Sequence, residues 1–413
     1  MPEKKKTAVP RLRFPEFRDA GPWEVRRLGE VCEINPSCGR LPEYFVYIDL
    51  ESVEDGELIQ RKTVSKKRAP SRAQRILRKG DVIYQMVRPY QKNNLLFNLE
   101  DKEEYVASTG YAQLRANGSS TFLFYLVHTY PFTTEVLARS TGSNYPAINS
   151  SDLANVLTAI PDTPEQQKIA DCLASLDDLI RAEEGQLAAL KDHKKGLMQQ
   201  LFPREGETTP RLRFPEFRDA GPWEVKRLGE VVKITGGGTP SRSVKEFWNG
   251  DIPWISSSDV SDESIHELKI TRRITAEAVS KSATKIVPEN SILLVSRVGV
   301  GKLAVSRIPV CTSQDFTNLT PNEDDALFLG YYLSAWANVL KSFSQGMAIQ
   351  GFTKEDIESL AIPIPKVSTG EQQKIADCLS SLDGLIQAKS EHIDALKQHK
   401  KGLMQQLFPQ AVG

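Results

Sequence analysis

The chain has 413 residues, and its 53 Lys and Arg are matched by 53 Asp and Glu; the length predicts two or three domains, and the balance removes bulk positive charge as an argument for a polyanionic partner. The cysteines Cys32, Cys38, Cys172, Cys311 and Cys378 show no CxxC pair or His-Cys ligand spacing, which excludes a zinc framework or disulfide scaffold and suits a reducing cytoplasm. No stretch approaches the roughly 20 apolar residues that span a bilayer, so a cytoplasmic chain with no membrane partner is expected.

In chain order, residues 1–22 form an arm and a strap, the latter opening the segment PRLRFPEFRDAGPWEV at 10–25. A first body follows at 23–162. Its runs YFVYIDL (44–50), DVIYQMV (81–87) and TGYAQLRA (109–116) have strand length and lie between turn signals. Residues 163–203 form a central helix, whose apolar positions Ile169, Leu173, Leu176, Ile180, Leu187, Leu190, Leu197 and Leu201 alternate by fours and threes, with Glu183 and Lys194 completing the seam. Pro164 and Pro203 bracket it. Residues 204–222 are a linker strap, and the sixteen letters of 10–25 return unchanged at 210–225. A second body spans 223–364, with strand-like DIPWISSSDV (251–260), SILLVSRV (291–298) and PVCTSQDFTNL (309–319). Residues 365–413 give the distal helix and tail, and the seam repeats through Ile375, Leu379, Leu382, Ile386, Ile393, Leu396, Leu403 and Leu407, with Lys389 and Lys400 completing it and a Glu183–Lys389 contact expected near the midpoint.

Each helix has one apolar stripe and needs a partner. The nearest is its repeat in the same chain. If the halves are related by a pseudo-two-fold axis the helices run antiparallel, with Ile169 opposite Leu407 and Leu201 opposite Ile375. The strap at 10 then continues where a chain leaving Pro409 would go, so the termini meet and the layout is cyclic. The predicted class is α+β: two mixed α/β bodies joined by two long antiparallel coiled-coil helices.

Catalytic signatures are not found. GGGTPS (236–241) lacks the phosphate-loop frame, and GVGK (299–302) is followed by Leu303 where Ser or Thr is required. INPS (34–37) lacks the second proline and the aromatic residue of amino-methyltransferase motifs. His128, His193, His266, His392 and His399 accompany no nucleophile motif. The positive signal is local and basic. The run at 61–80 supplies Arg61, Lys66, Lys67, Arg68, Arg72 and Arg75 in a phosphate-facing composition. MVRPYQKNN (86–94) then adds Arg88, Tyr90, Gln91 and Lys92, cations beside the planar donors that read base edges. The second-body candidates are Arg242, Lys245, Arg272, Arg273, Arg297, Lys302 and Gln314. Paired readers of double-stranded DNA explain the duplication, whereas solvated faces do not.

These residues resemble the specificity subunit of type I restriction-modification systems over essentially the whole chain. WEVRRLGEV and WEVKRLGEV resemble the start of that family's target recognition domains. GGTPSR through WNGDIPWISSSDV resembles one domain variant, and GDVIYQMVRPY with ASTGYAQL another. The IP steps followed by EQQKI resemble the central and distal regions of the family. The resemblance implies a non-catalytic subunit that binds no cofactor or metal itself and reads one half of a bipartite, asymmetric DNA target with each domain. It also implies two modification subunits that use S-adenosylmethionine to methylate adenine, and restriction subunits that use ATP and Mg to cleave DNA. The rival expectations are a stand-alone DNA methyltransferase, which needs a cofactor fold, and a coiled-coil protein scaffold that does not touch DNA.

Overall fold

The strand-length apolar runs become sheets buried on both faces, in a computed structural model that describes residues 7–37, 39–336 and 353–410. Two compact units result: Met1–Glu184 with His392–Gly413, and Gly185–Glu391. Cys38, the start of the arm, part of the second body and residues 411–413 lie outside the described residues.

In the first unit an antiparallel sheet runs Leu95–Leu96, Val82–Gln85, Tyr111–Ala116, Cys32–Ile34 in spatial order. Its alternation divides two cores. Val82, Tyr84, Ala112 and Leu114 face one, while Ile83 and Tyr111 face the other. A second sheet has the order Lys62–Ser65, Tyr44–Ile48, Tyr105–Ser108, Ala73–Ile76, and its central pair is parallel. The helices Ser120–His128 and Tyr130–Arg139 are capped by Ser119 and Thr129, and they cover the first core with Phe122, Leu126, Phe132 and Val136.

The second unit repeats this topology with different letters. One sheet runs Leu303–Ser306, Ser291–Val295, Phe316–Pro321, Val232–Gly236. The other runs Arg272–Ile274, Ile252–Ile255, Val310–Thr312, Ile286–Val287, again with a parallel central pair. Ile292 and Leu294 face one core while Leu293 and Val295 face another, the same alternation as in the first body.

The predicted rods are single helices, Thr163–Leu201 and Glu371–Leu407. The first begins at the expected residue, Thr163, and takes Pro164 into its opening turn, where a missing N–H costs nothing. All sixteen predicted seam residues are buried or half-buried. Within the first unit Ile169 and Leu173 share a core with Leu403, Leu407 and Phe408; within the second, Leu197 and Leu201 share one with Ile375 and Leu379. Each unit therefore holds its helix segments antiparallel, in the expected register.

The charged seam positions carry a feature that the heptad rhythm does not reveal. Lys194 Nζ donates to Asp383 Oδ1 at 2.6 Å, and the Tyr331 hydroxyl donates to Asp383 Oδ2 at 2.6 Å. His266 Nε2 lies 2.8 Å from that hydroxyl. The repeat-equivalent set in the first unit is Lys400, Asp177 and Tyr125, with Tyr125 donating at 2.7 Å. Burial pushes the Asp383 carboxyl up, but donation from His266, Lys194 and Tyr331 outweighs it and holds the group below the usual carboxylate range. Lys389 donates to Gln186 Oε1 at 2.9 Å.

Each strap is tied to the end of a helix in its own unit. The Leu12 N–H donates to Gln406 O at 3.0 Å, and the equivalent Leu212 N–H donates to Gln200 O at 2.9 Å. The first strap thus begins beside the end of the second helix, as the cyclic layout expects. Arg13 clasps Glu165 with two bonds of 2.7 and 2.6 Å, and Arg213 clasps Glu371 with two of 2.7 Å.

Candidate nucleic-acid interface

The strand Val82–Gln85 of the first body delivers the chain into Met86–Asn94, and two non-glycine residues there adopt left-handed backbone: Arg88 at φ 53° and Lys92 at φ 58°. Such residues cost ~1–3 kcal/mol each and persist where the surroundings over-determine them. The surroundings do so here. Asn94 Oδ1 accepts the Gln85 N–H at 2.8 Å, Gln85 Oε1 accepts the Asn93 N–H at 3.1 Å, and Gln85 Nε2 donates to Gln91 Oε1 at 2.9 Å. A second loop closes on the first: the Arg88 N–H donates to Pro146 O at 2.8 Å, and the Arg88 guanidinium lies over the Tyr145 ring at 4.3 Å. Tyr90 and Tyr145 are 50% and 62% exposed beside it.

Arg88, Tyr90 and Gln91 are therefore gathered on one rigid loop. Lys92 is turned away: its Nζ donates to His128 O at 2.7 Å, and burial, with Lys401 nearby, pushes its pKa down. Tyr145 escaped the sequence reading, although a tyrosine between Gly142 and Pro146 is a turn-borne aromatic.

His128 closes the floor of this loop. Asn94 has its oxygen engaged by Gln85, so its amide donates to His128 Nε2 at 3.3 Å, while His128 Nδ1–H donates to Phe124 O at 2.6 Å. The ring is thus held neutral, and burial pushes its pKa down from 6.5 to about 4. A depressed base takes up its proton in the unfolded chain first, so its contribution is full above pH 6.5 and falls as pH drops toward 4. The linkage amounts to ~3 kcal/mol. Denaturant unfolding of the wild type and His128→Gln across this window checks it: the wild type should lose stability more steeply with acid.

The basic run at 61–80 is not one patch. Arg61 pairs with Asp101 at 2.9 Å. Lys66, Lys67 and Arg68 form a 3-10 turn after the edge strand Lys62–Ser65, and Arg75 sits in the opposite edge strand, Ala73–Ile76. Arg72 is exposed just before it.

In the second body three loops meet at the equivalent end of the equivalent sheet, where Val295 pairs with Phe316 and Gly236 with Thr317. Arg297 follows Ser291–Val295 as Arg88 follows Val82–Gln85. It is exposed. The Ser296 N–H donates to Asp315 O at 2.8 Å, which brings Arg297 beside the loop of Gln314. The Thr239 hydroxyl donates to Gln314 Oε1. The glycine-rich segment is a close-approach turn: a Cβ on Gly237 would lie 2.0 Å from Ser313 O, and one on Gly238 2.5 Å from Ala283 C. Lys302 is engaged by Asp262 at 2.6 Å, and Arg273 Nη1 donates to Asp251 O at 2.7 Å. Arg242, Lys245 and Arg272 line a shallow concavity of about 450 Å3 with Trp248. Arg272 is fixed by Asp259 Oδ2 at 2.6 Å and lies 4.9 Å from the Trp254 ring centroid.

The same loop ends, built on one topology in two bodies, agree with comparison to known proteins. The type I restriction modification DNA specificity domain family matches residues 21–192 and again 221–398. The chain belongs to that family. Among type I specificity subunits, the MjaIX subunit of Methanocaldococcus jannaschii is 36% identical over 180 residues, 43% of this chain and 41% of that protein. The HindI subunit of Haemophilus influenzae is 22% identical over 396 residues, 78% of this chain and 85% of that one. The matched stretches thus cover less than half of the first relative and most of the second. A solved chain described under complex assembly and conformational transition of the type I R-M system superposes with a TM-score of 0.61 at 28% identity, covering 94% of this chain and 98% of its own. The type I S subunit of M. genitalium shares the fold, with a TM-score of 0.59 at 15% identity over 98% of this chain and 100% of its own. In this type I specificity family member no described helix is long and apolar enough to cross a membrane.

Proposed function

We propose that the chain is the non-catalytic DNA-recognition subunit of a type I restriction-modification complex, each body reading one half of a bipartite, asymmetric target. One observation carries this reading: a common topology presents different side chains at the loop that follows equivalent strands, Arg88, Tyr90 and Gln91 after Val82–Gln85 against Arg297 after Ser291–Val295, with Tyr145 and Gln314 added from neighbouring loops. Unlike bodies read unlike half-sites, so the target is not a palindrome, in contrast to that of a homodimer. In this reading two modification subunits bring S-adenosylmethionine and methylate adenine, and restriction subunits bring ATP and Mg for cleavage. The chain itself holds none of these groups and works in the cytoplasm.

Loss of a guanidinium paired with a guanine edge costs ~1–3 kcal/mol of discrimination. Arg88→Ala is expected to relax one half-site and Arg297→Ala the other, as read by binding to duplexes randomised one half at a time. A uniform loss over all sequences would make the residue a phosphate contact instead. The helices are the proposed ruler. Four residues inserted into each add about 6 Å at helical rise, and DNA rises ~3.4 Å per base pair, so the unread spacer should lengthen by one or two base pairs. Mapping the modified sites of such a variant checks this, and an unchanged spacer refutes it.

A further inference from the structure

The second body separates its cations by what fixes them. Lys302 is neutralised by Asp262, and Arg297 stands at the loop end with Gln314. Arg242 and Lys245 are exposed and form no ion pair among the described residues. They line a concavity of about 450 Å3 whose third cation, Arg272, is locked by Asp259 and the Trp254 ring. The lining is rich in donors and contains no carboxylate. Its fourth member, Trp248, has its indole N–H committed to Ser241 O at 3.1 Å and stands edge-on to Trp254, with ring centroids 5.1 Å apart. That leaves an apolar wall rather than a hydrogen-bonding one. Free cations, one pre-oriented guanidinium and an apolar wall suit a phosphodiester with its sugar.

Its position suits one too. Thr239, which holds Gln314, lies three residues before Arg242 on the loop pinned by Gly237 and Gly238. Three residues span at most ~11 Å, about three base-pair steps of ~3.4 Å. A phosphate in the concavity would then fix the register of the bases offered to Gln314 and Arg297.

We propose that the concavity of Arg242, Lys245, Trp248 and Arg272 seats a backbone phosphate of bound DNA, as a positioning site separate from the base-reading end at Arg297 and Gln314. This rests on the DNA-recognition reading above. The test measures binding of the full chain to its selected duplex, and to that duplex with one half-site scrambled, over a salt series. Arg242→Ala and Lys245→Gln change exposed residues whose removal leaves the packing intact. Each should weaken both duplexes by the same factor and make the slope of log affinity against log salt shallower by about 0.9 for each phosphate that is no longer neutralised. Gln314→Ala should change the ratio between the duplexes. An unchanged slope in both cation variants, or a weakening confined to the selected duplex, overturns the phosphate seat while leaving the recognition reading standing. An altered preferred sequence in Arg242→Ala would make the concavity a reader of bases and overturn it as well. A wild-type chain that prefers no duplex refutes the recognition reading, and the phosphate seat with it.

Discussion

Asp383→Ala is expected to destabilise the second unit by about 3–5 kcal/mol, the cost of leaving a buried partner charge uncompensated. The side chains of Lys194 and Asp383 are 12% and 8% exposed, so water does not replace the missing carboxylate, and the Tyr331 hydroxyl loses the shorter of its two bonds, keeping that to Ser380 Oγ at 3.3 Å. The pair as a whole is worth much less than either half alone, because desolvating two ions offsets most of their attraction. Asp383→Leu combined with Lys194→Leu should therefore recover most of the loss. Asp177→Ala should cost less than Asp383→Ala, since Lys400 and Asp177 are 24% and 25% exposed and remain partly hydrated. The pH dependence has a fixed sign: a carboxyl held below its ordinary 3.8 stabilises above that value, and the contribution fades as pH falls through the folded pKa. Denaturant unfolding of the three variants measures all of this, and equal losses at the two aspartates would contradict it.

Arg213→Ala should cost more than Arg13→Ala, although the two sit in identical sixteen-residue segments. Glu371 is 1% exposed and loses both of its Arg213 bonds. Glu165 is nearly as buried, but it keeps a bond from the Trp23 indole N–H at 3.2 Å. The indole nitrogen of Trp223 is buried with no hydrogen-bond partner among the described residues and offers no such substitute. A stranded buried carboxylate places the Arg213→Ala loss near ~3–5 kcal/mol, with Arg13→Ala below it, by the same unfolding measurement. Limited proteolysis of the second strap should quicken in parallel.

The helices and the cyclic straps were legible in the sequence because a period of 3.5 and a repeated segment are properties of letters alone. Ile169 opposite Leu407 follows from that period and one symmetry argument. The Lys194 and Lys400 clusters were not legible. Their aspartates lie off the seam, and Tyr331 and Tyr125 come from the bodies, so no local spacing links them. The common topology of the bodies was hidden for a related reason: strand order is set by which faces bury, and Val82 and Ile292 satisfy the same position with little shared sequence. Arg88 could be chosen as a cation among planar donors just past the run at 81–87, and Arg297 as a cation inside the run at 291–298, whose strand ends at Val295. Lys92 looked equivalent to Arg88 and shares its left-handed backbone, but its ammonium is engaged by His128 O, and Tyr145 joins the candidate site only through a loop more than fifty residues away.

The most direct test of the recognition role is genome-wide mapping of DNA methylation in cells that carry this chain with its partner subunits, compared with cells lacking only this chain. The account predicts a modified sequence in two unlike parts separated by a fixed unread spacer, abolished when the chain is removed. A palindromic or undivided modified sequence, or methylation that persists without the chain, would contradict it.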